Sequence, residues 1–252
     1  MLLSAHGASH PGRRTSNEDA LLVDPALGLF IVADGMGGHN AGEVAARLAI
    51  DAISQFVTLS QSSTDLTWPY GIDPTISINA NRIRNAVRLA NGRVLDAAES
   101  RTDYSGMGTT VVVALVEDGR VSFAGVGDSR VYLCRDVHIE QLTQDDSWLA
   151  AVLAREPGLT ETALAQHPMR HVLTSVVGAR DDSEPKVFDR PIDAGDILLL
   201  CTDGLHGAVS MEEIASILCS TRTPEEMTAN LVESALAKGA TDNVTAVVVR
   251  AS

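Results

Sequence analysis

Apolar residues in this chain follow two periodicities that occupy separate blocks, and this limits its fold more than any other feature. Short runs rich in Val, Ile and Leu, bounded by Gly, Asp or Pro, fill 21–23, 29–33, 110–116, 121–126, 131–134, 197–201 and 244–249 and read as strands. VSFAGVGDSRVYLCRDVHIEQL reads as a meander of three strands and two turns. Three longer stretches have helical spacing. The first opens at Asn40 with Glu43 three residues on, a capping-box arrangement, and puts Val44, Ala45, Leu48, Ala49, Ala52, Ile53 and Phe56 on one face. The second covers roughly 76–98, where Ile76, Ala80, Ile83, Val87, Ala90, Val94 and Ala97 step by four and three in turn. The third starts at Thr223 with Pro224 and Glu225 behind it, and Gly239 is placed to end it. A doubly wound parallel sheet needs regular strand–helix alternation. Strands in runs and helices in blocks predict an α+β layering instead, with helices outside antiparallel sheets. The stretch 61–75 reads as a polar loop between the first two helices, and 147–179, which lacks strand character, as a mobile flap.

Composition narrows the classes. The chain has 252 residues, 45% of them hydrophobic and 4% aromatic, enough for one large domain or two small ones with a core of Val, Leu, Ile and Ala. A net charge of −14 is the opposite of the basic face that nucleic-acid binding requires. Cys134, Cys201 and Cys219 are odd in number and far apart, with no CxxC pair, so neither a zinc knot nor a disulfide framework is suggested. Cys134 and Cys201 fall in strand-like runs and read as small core residues. No signal peptide and no membrane-length apolar run are visible, so a cytoplasmic protein without a membrane role is expected, with a monomer as the default.

The runs end in acids. Asp34 and Asp203 each follow an apolar run and precede a glycine, Asp128 follows another run, and Asp242 and Asp19 each precede one. A half-buried carboxylate is costly unless paired or bound to a metal. Bases are scarce in these segments, Arg130 being the nearest to Asp128. Mg²⁺ and Mn²⁺ take carboxylate, carbonyl and water oxygens, so a site for two hard cations is one reading. Ordinary Asp-Gly turn chemistry is the other.

RTSNED (14–19), VADGMGGHNAGE (32–43), GMGTT (106–110), GDSR (127–130), CTDG (201–204) and TDNVT (241–245) occur in the order found in the metal-dependent protein phosphatases, and the chain resembles that type 2C Ser/Thr family from about residue 6 to 250. The wording DGMGGH resembles its bacterial branch. The resemblance implies a sandwich of two antiparallel β-sheets flanked by α-helices, a single domain over 1–252, a flap at about 147–178, and a cleft at one end of the sandwich holding two divalent cations, Mn²⁺ or Mg²⁺. It implies that Asp34 bridges both ions with help from the Gly35 carbonyl. Asp203 and Asp242 would hold one ion, Glu18 and Asp19 would act mainly through metal-bound waters, and Asp128 would serve a third ion. Arg14 would bind the substrate phosphate, although from the residues alone Arg13 and Arg14 are equal candidates and either also reads as a surface base. The implied reaction is hydrolysis of phosphoSer and phosphoThr monoesters by a hydroxide bridging the two metals, on proteins that a Ser/Thr kinase modifies.

Two departures stand out. Many members carry, four residues after the acid matching Asp203, a further acid that supports the third ion; here it is Gly207. Animal members carry a His directly after the first Asp-Gly; here it is Met36, which leaves the nearby His39 or a metal-bound water as the proton donor, and His39 also reads as a structural residue of the glycine turn. Two other functions stay in view: a regulatory module that binds phosphoproteins with little catalysis, and a dimetal phosphoesterase with a non-protein substrate.

Overall fold

Leu29, Ile31 and Ala33 turn one way and Phe30 and Val32 the other, yet all five are fully buried. Both faces of their strand must therefore be covered, which explains an unbroken apolar run where a half-exposed strand would alternate. The computed structural model describes residues 1–38, 41–63, 65–156, 158–164, 166–181 and 184–252. Along the described residues the strands are β1 (Leu3–His10), β2 (Asp19–Asp24), β3 (Leu29–Met36), β4 (Gly108–Thr109), β5 (Val111–Glu117), β6 (Arg120–Val126), β7 (Arg130–Arg135), β8 (His138–Gln141), β9 (Lys186–Pro191), β10 (Ile197–Cys201) and β11 (Val244–Ala251). The helices are α1 (Ala41–Ser62), α2 (Ile78–Ser100), α3 (Trp148–Arg155), α4 (Glu161–Leu164), α5 (Asp203–His206), α6 (Met211–Leu218) and α7 (Pro224–Ala237).

One sheet runs β1-β11-β10-β7-β8 and the other β2-β3-β5-β6-β9, with β4 beside β3. Every strand pair is antiparallel. Phe30, Val32, Val112, Ala114, Phe123, Val131, Leu198, Leu200, Val247 and Val249 form the cluster between the sheets. Leu29, Ile31, Val113 and Leu115 face outward onto Ala45, Ile53, Ile83 and Val87 of α1 and α2. Tyr132, Leu199 and Val248 face outward onto Ile214, Met227 and Leu231 of α6 and α7. The expected layering, helices outside antiparallel sheets, is what the chain builds. Each fully buried Leu, Ile or Phe contributes about 1.5–3 kcal/mol of transfer free energy.

Local signals place the helix ends. Ser77 caps α2, its hydroxyl accepting from the Ala80 amide at 3.0 Å, so the helix starts two residues later than its periodicity predicts. Thr223 and Glu226 form a full capping box ahead of Pro224, and Gly239 follows α7 with φ +82°, as its spacing predicts. The cap expected at Asn40 lies outside the described residues. β1, β8 and β9 lack an apolar run in the sequence, and all three are edge strands; β4 is a two-residue strand beside β3. The stretch 147–178 holds α3, α4 and two isolated bridges, Ser147 to Leu173 and Thr109 to Val177. Its ends are thus laced together and to β4, and inside it the Trp148 ring stacks on His167 with centroids 4.1 Å apart.

Candidate metal centre

The inner faces of the two sheets turn polar together at one end. On β3 the inner set Phe30 and Val32 continues to Asp34, and on β2 the inner set Val23 and Leu21 continues to Asp19. Asp19 and Asp34 are direct cross-strand partners. Like charges opposite each other on one face destabilise a sheet unless something lies between them. From the other sheet come Thr202 and Asp203, which follow β10, and Thr245 and Asp242 at the start of β11.

Hydroxyl groups hold the carboxylates in place. Thr245 Oγ1 donates to Asp19 Oδ2 at 2.6 Å and Thr202 Oγ1 to the same oxygen at 3.0 Å. Asp19 Oδ1 is buried without a hydrogen-bond partner, and so is Asp203 Oδ1. The Asp34 amide donates to Thr110 Oγ1 at 3.1 Å, and Thr110 Oγ1 meets Ser129 Oγ at 2.7 Å. These contacts fix the backbone of Asp34 and leave its carboxylate to the shared space.

Glycines bring the elements close. An added Cβ on Gly35 would fall 1.9 Å from the Gly42 carbonyl oxygen, and one on Gly204 would fall 1.9 Å from the Asn243 carbonyl oxygen. The first approach seats the start of α1 on the end of β3. The second seats Asp203 beside the turn that leads from Asp242 into β11. A glycine after each acid thus serves close backbone packing.

Crowding shows in the acid strengths. Burial, then the charges of Asp19, Asp203, Asp242 and Asp128, pushes Asp34 well above the usual carboxylate range. Burial also pushes Asp19 up to about 7 against the pull of the Thr245 and Thr202 hydrogen bonds. Asp128 rises to about 7 through burial and the charges of Asp203 and Asp145. Asp203 rises through burial and Asp242, and Glu18 through burial and, less, Asp242 and Glu43, with Arg14 opposing. Asp34 thus feels the charges of Asp19, Asp203, Asp242 and Asp128 together, and Glu18 joins them through Asp242. Among the described residues no three His, Cys, Asp or Glu side chains are already closed around one point. The orphaned oxygens and the mutual charge burden weigh more, because an oxygen-only donor set short of counter-charge is what a hard divalent cation neutralises. These residues fit a metal site.

Arg14 is brought to the same place. Its Nη2 donates to Asp242 Oδ2 at 2.8 Å, with 59% of the side chain exposed. Arg13 lies instead against Gly239. Gly35 is buried beside Asp34, Met36 lines a groove with Leu95, Met107 and Val176, and His39 lies outside the described residues. At position 207 the exposed glycine's amide donates to the Asp203 carbonyl at 2.7 Å, so no side chain supports Asp128 from there.

Several residues that organise the site escape a reading by sequence. Asn243 accepts from the Glu18 amide at 2.8 Å and donates to the Pro11 and Ser16 carbonyls at 3.0 and 2.9 Å, tying the loop of Arg14 and Glu18 to β11. The only signal for it was its place in TDNVT. His206 Nε2 meets the Asp128 carbonyl at 3.0 Å, and burial holds its pKa down at about 4, so the neutral ring donates there. Arg130 grips Asp145 through Nε and Nη2, which fixes the turn after Asp128.

A sandwich with an acidic end of this kind has the oxygen donors that hard divalent cations take. The Protein phosphatase 2C family matches residues 6–238, and the chain belongs to that family. It is 35% identical over 225 residues, 88% of the chain and 83% of the relative, to the serine/threonine phosphatase stp of Listeria monocytogenes. The crystal structure of the Mycobacterium tuberculosis serine/threonine phosphatase PstP/Ppp superposes with a TM-score of 0.85 at 34% identity, covering 100% of this chain and 99% of that one. The PstP catalytic domain in complex with two manganese ions gives a TM-score of 0.83 at 34% identity over 99% and 98% of the two chains.

Proposed function

We propose that this chain is a protein serine/threonine phosphatase that hydrolyses phosphoSer and phosphoThr with two divalent cations, Mn²⁺ or Mg²⁺, held by Asp19, Asp34, Asp203 and Asp242. The observation that carries this reading is the cross-strand Asp19–Asp34 pair, with Asp203 and Asp242 crowded against it and one buried oxygen each of Asp19 and Asp203 unpartnered. The stp relative's name and the two manganese ions of the PstP domain support it. Bound there, two such cations would bring the pKa of a water toward neutrality and offset charge on the phosphoryl oxygens.

The chain's own residues do the rest. Asp34, fixed by its backbone bonds to Thr110, would hold both cations through its carboxylate, helped by the Gly35 carbonyl. Thr202 and Thr245 orient Asp19 through one oxygen, so that the other faces the cations or their waters, as Glu18 does. Arg14, exposed at the rim, offers phosphate a planar fork that suits bidentate contact. Asp128, anchored through His206 and Arg130, stands ready for a third cation, held less firmly for want of an acid at Gly207. His39 is assigned the leaving oxygen's proton. The chain acts as one phosphatase domain over 1–252, and 147–178 serves as the flap that shapes substrate choice. We place it as a cytoplasmic monomer opposing a Ser/Thr kinase; among the described residues no helix is long and apolar enough to cross a membrane.

Purified protein with Mn²⁺ is expected to release phosphate from phosphoSer and phosphoThr peptides and from p-nitrophenyl phosphate, and to stop in EDTA. Turnover that continues in EDTA rejects the reading. Mn²⁺ binding by calorimetry without hydrolysis would select the regulatory module, and hydrolysis of small phosphoesters alone the non-protein substrate. Arg14→Ala is expected to lower kcat/KM about 10- to 100-fold, about 1.4–2.7 kcal/mol. Steady-state kinetics on a phosphopeptide checks this, and an unchanged kcat/KM would remove Arg14 from the phosphate site.

A further inference from the structure

Far from the acidic end, two thiols meet. Cys134, next to last in β7, points toward the helical layer with Tyr132, and Cys219 is the C-cap residue of α6. They are 85 residues apart in sequence, yet their sulfurs stand 2.7 Å apart. Both are free thiols. Their neighbours hold them there. Arg135 Nη2 and Nε grip Asp196 at 2.6 and 2.8 Å, which fixes the residue after Cys134. Arg250 Nη2 reaches the Arg222 carbonyl at 2.6 Å and the Ser220 carbonyl at 3.5 Å, which fixes the turn after Cys219. Both cysteines line a groove of about 640 Å³ with Gly195 and Ser220, through which a small oxidant can reach the half-buried Cys219.

We propose that Cys134 and Cys219 are a reversible redox pair, closed to a disulfide by a peroxide across this groove between the end of β7 and the end of α6. The phosphatase reading plays no part in it. Cys219, the more exposed of the two, attacks first: its thiolate takes one peroxide oxygen, the O–O bond breaks, and hydroxide leaves a sulfenic acid behind. Cys134 then gives up its proton and attacks that sulfur, the S–O bond breaks, and the second oxygen leaves as water. The two sulfurs together lose two electrons, and one peroxide becomes two waters. The order follows burial, which with the adjacent Cys219 pushes the Cys134 thiol up to about 12. Cys201 is an internal control, fully buried and paired with Arg130, whereas Cys134 is paired with Ile197 four residues away along β10.

Titrating the full chain with hydrogen peroxide tests the pair. Intact mass is expected to fall by about 2 Da, and a non-reducing peptide map to join the Cys134 and Cys219 peptides, both reversed by dithiothreitol. The cross-link should raise the melting temperature by at least about 4 °C. Cys219→Ser should lose both effects and Cys201→Ser keep both; the map of the unsubstituted protein decides if a variant fails to fold. Oxygen added at Cys219 without a cross-link, a link to Cys201, or thiols left unreacted under peroxide each overturn the proposal.

Discussion

Asp34→Asn is expected to lower phosphopeptide turnover by about 10³-fold or more, a transition-state loss of about 4 kcal/mol, while the fold stays intact. The substitution is nearly isosteric. The contacts that hold position 34 in place belong to its backbone: the Thr110 amide and the Thr109 hydroxyl donate to its carbonyl at 2.8 and 2.9 Å, and its amide donates to Thr110 Oγ1. None depends on the carboxylate. Removing that charge also relieves the repulsion across the β2–β3 pair, because Asp19 is the largest of the four acidic charges that raise Asp34. In EDTA the variant should therefore melt no lower than the parent. In Mn²⁺ the parent should gain about 2.7 kcal/mol at a hundredfold excess over Kd, and the variant much less. Melting curves with and without metal, read beside turnover, separate a lost ligand from a lost fold. Unimpaired turnover in Asp34→Asn would contradict the dimetal assignment outright.

The central strands were legible for a physical reason. β3, β5, β10 and β11 are covered on both faces, so they had to carry unbroken apolar runs, at 29–33, 111–116, 197–201 and 246–249. β1 and β9 sit at sheet edges, with partners on one side only, and SAHGAS and KVFDRP carry no run to read. The acids at strand ends were equally legible, because a carboxylate placed where an apolar run stops carries a local signature. Their supports did not. Thr202 and Thr245 reach Asp19 across separations of 183 and 226 residues, and Asn243 reaches Glu18 across 225. No local pattern marks a hydroxyl or an amide that acts only after two sheets have packed. The Cys134–Cys219 meeting is of the same kind: an absent CxxC argued against pairing, and tertiary structure brought the sulfurs together anyway.

Gly35→Ala carries the second large effect. An added Cβ would meet the Gly42 carbonyl oxygen at 1.9 Å, its carbon at 2.4 Å and the Glu18 carbonyl oxygen at 2.8 Å. All three are backbone atoms, so no side-chain rotation relieves the clash. Either β3 must part from the first turn of α1, or the Gly35 amide must lose its 3.2 Å bond to the Glu18 carbonyl. Overpacking against backbone in a buried position costs about 3 kcal/mol, which for a chain of this size lowers the melting temperature by about 6–12 °C. The strain falls one residue from Asp34 and on the carbonyl of Glu18, so the Mn²⁺-dependent rise in melting temperature should shrink together with stability. Gly38→Ala is the matched control. It lies three residues on in the same turn, exposed, with nothing within 4 Å of an added Cβ, and should stay within about 0.5 kcal/mol of the parent. If Gly35→Ala melts as Gly38→Ala does and keeps its metal response, then the close seating of α1 on β3 does not set the geometry of the acidic end, and the glycine after Asp34 is an ordinary turn residue.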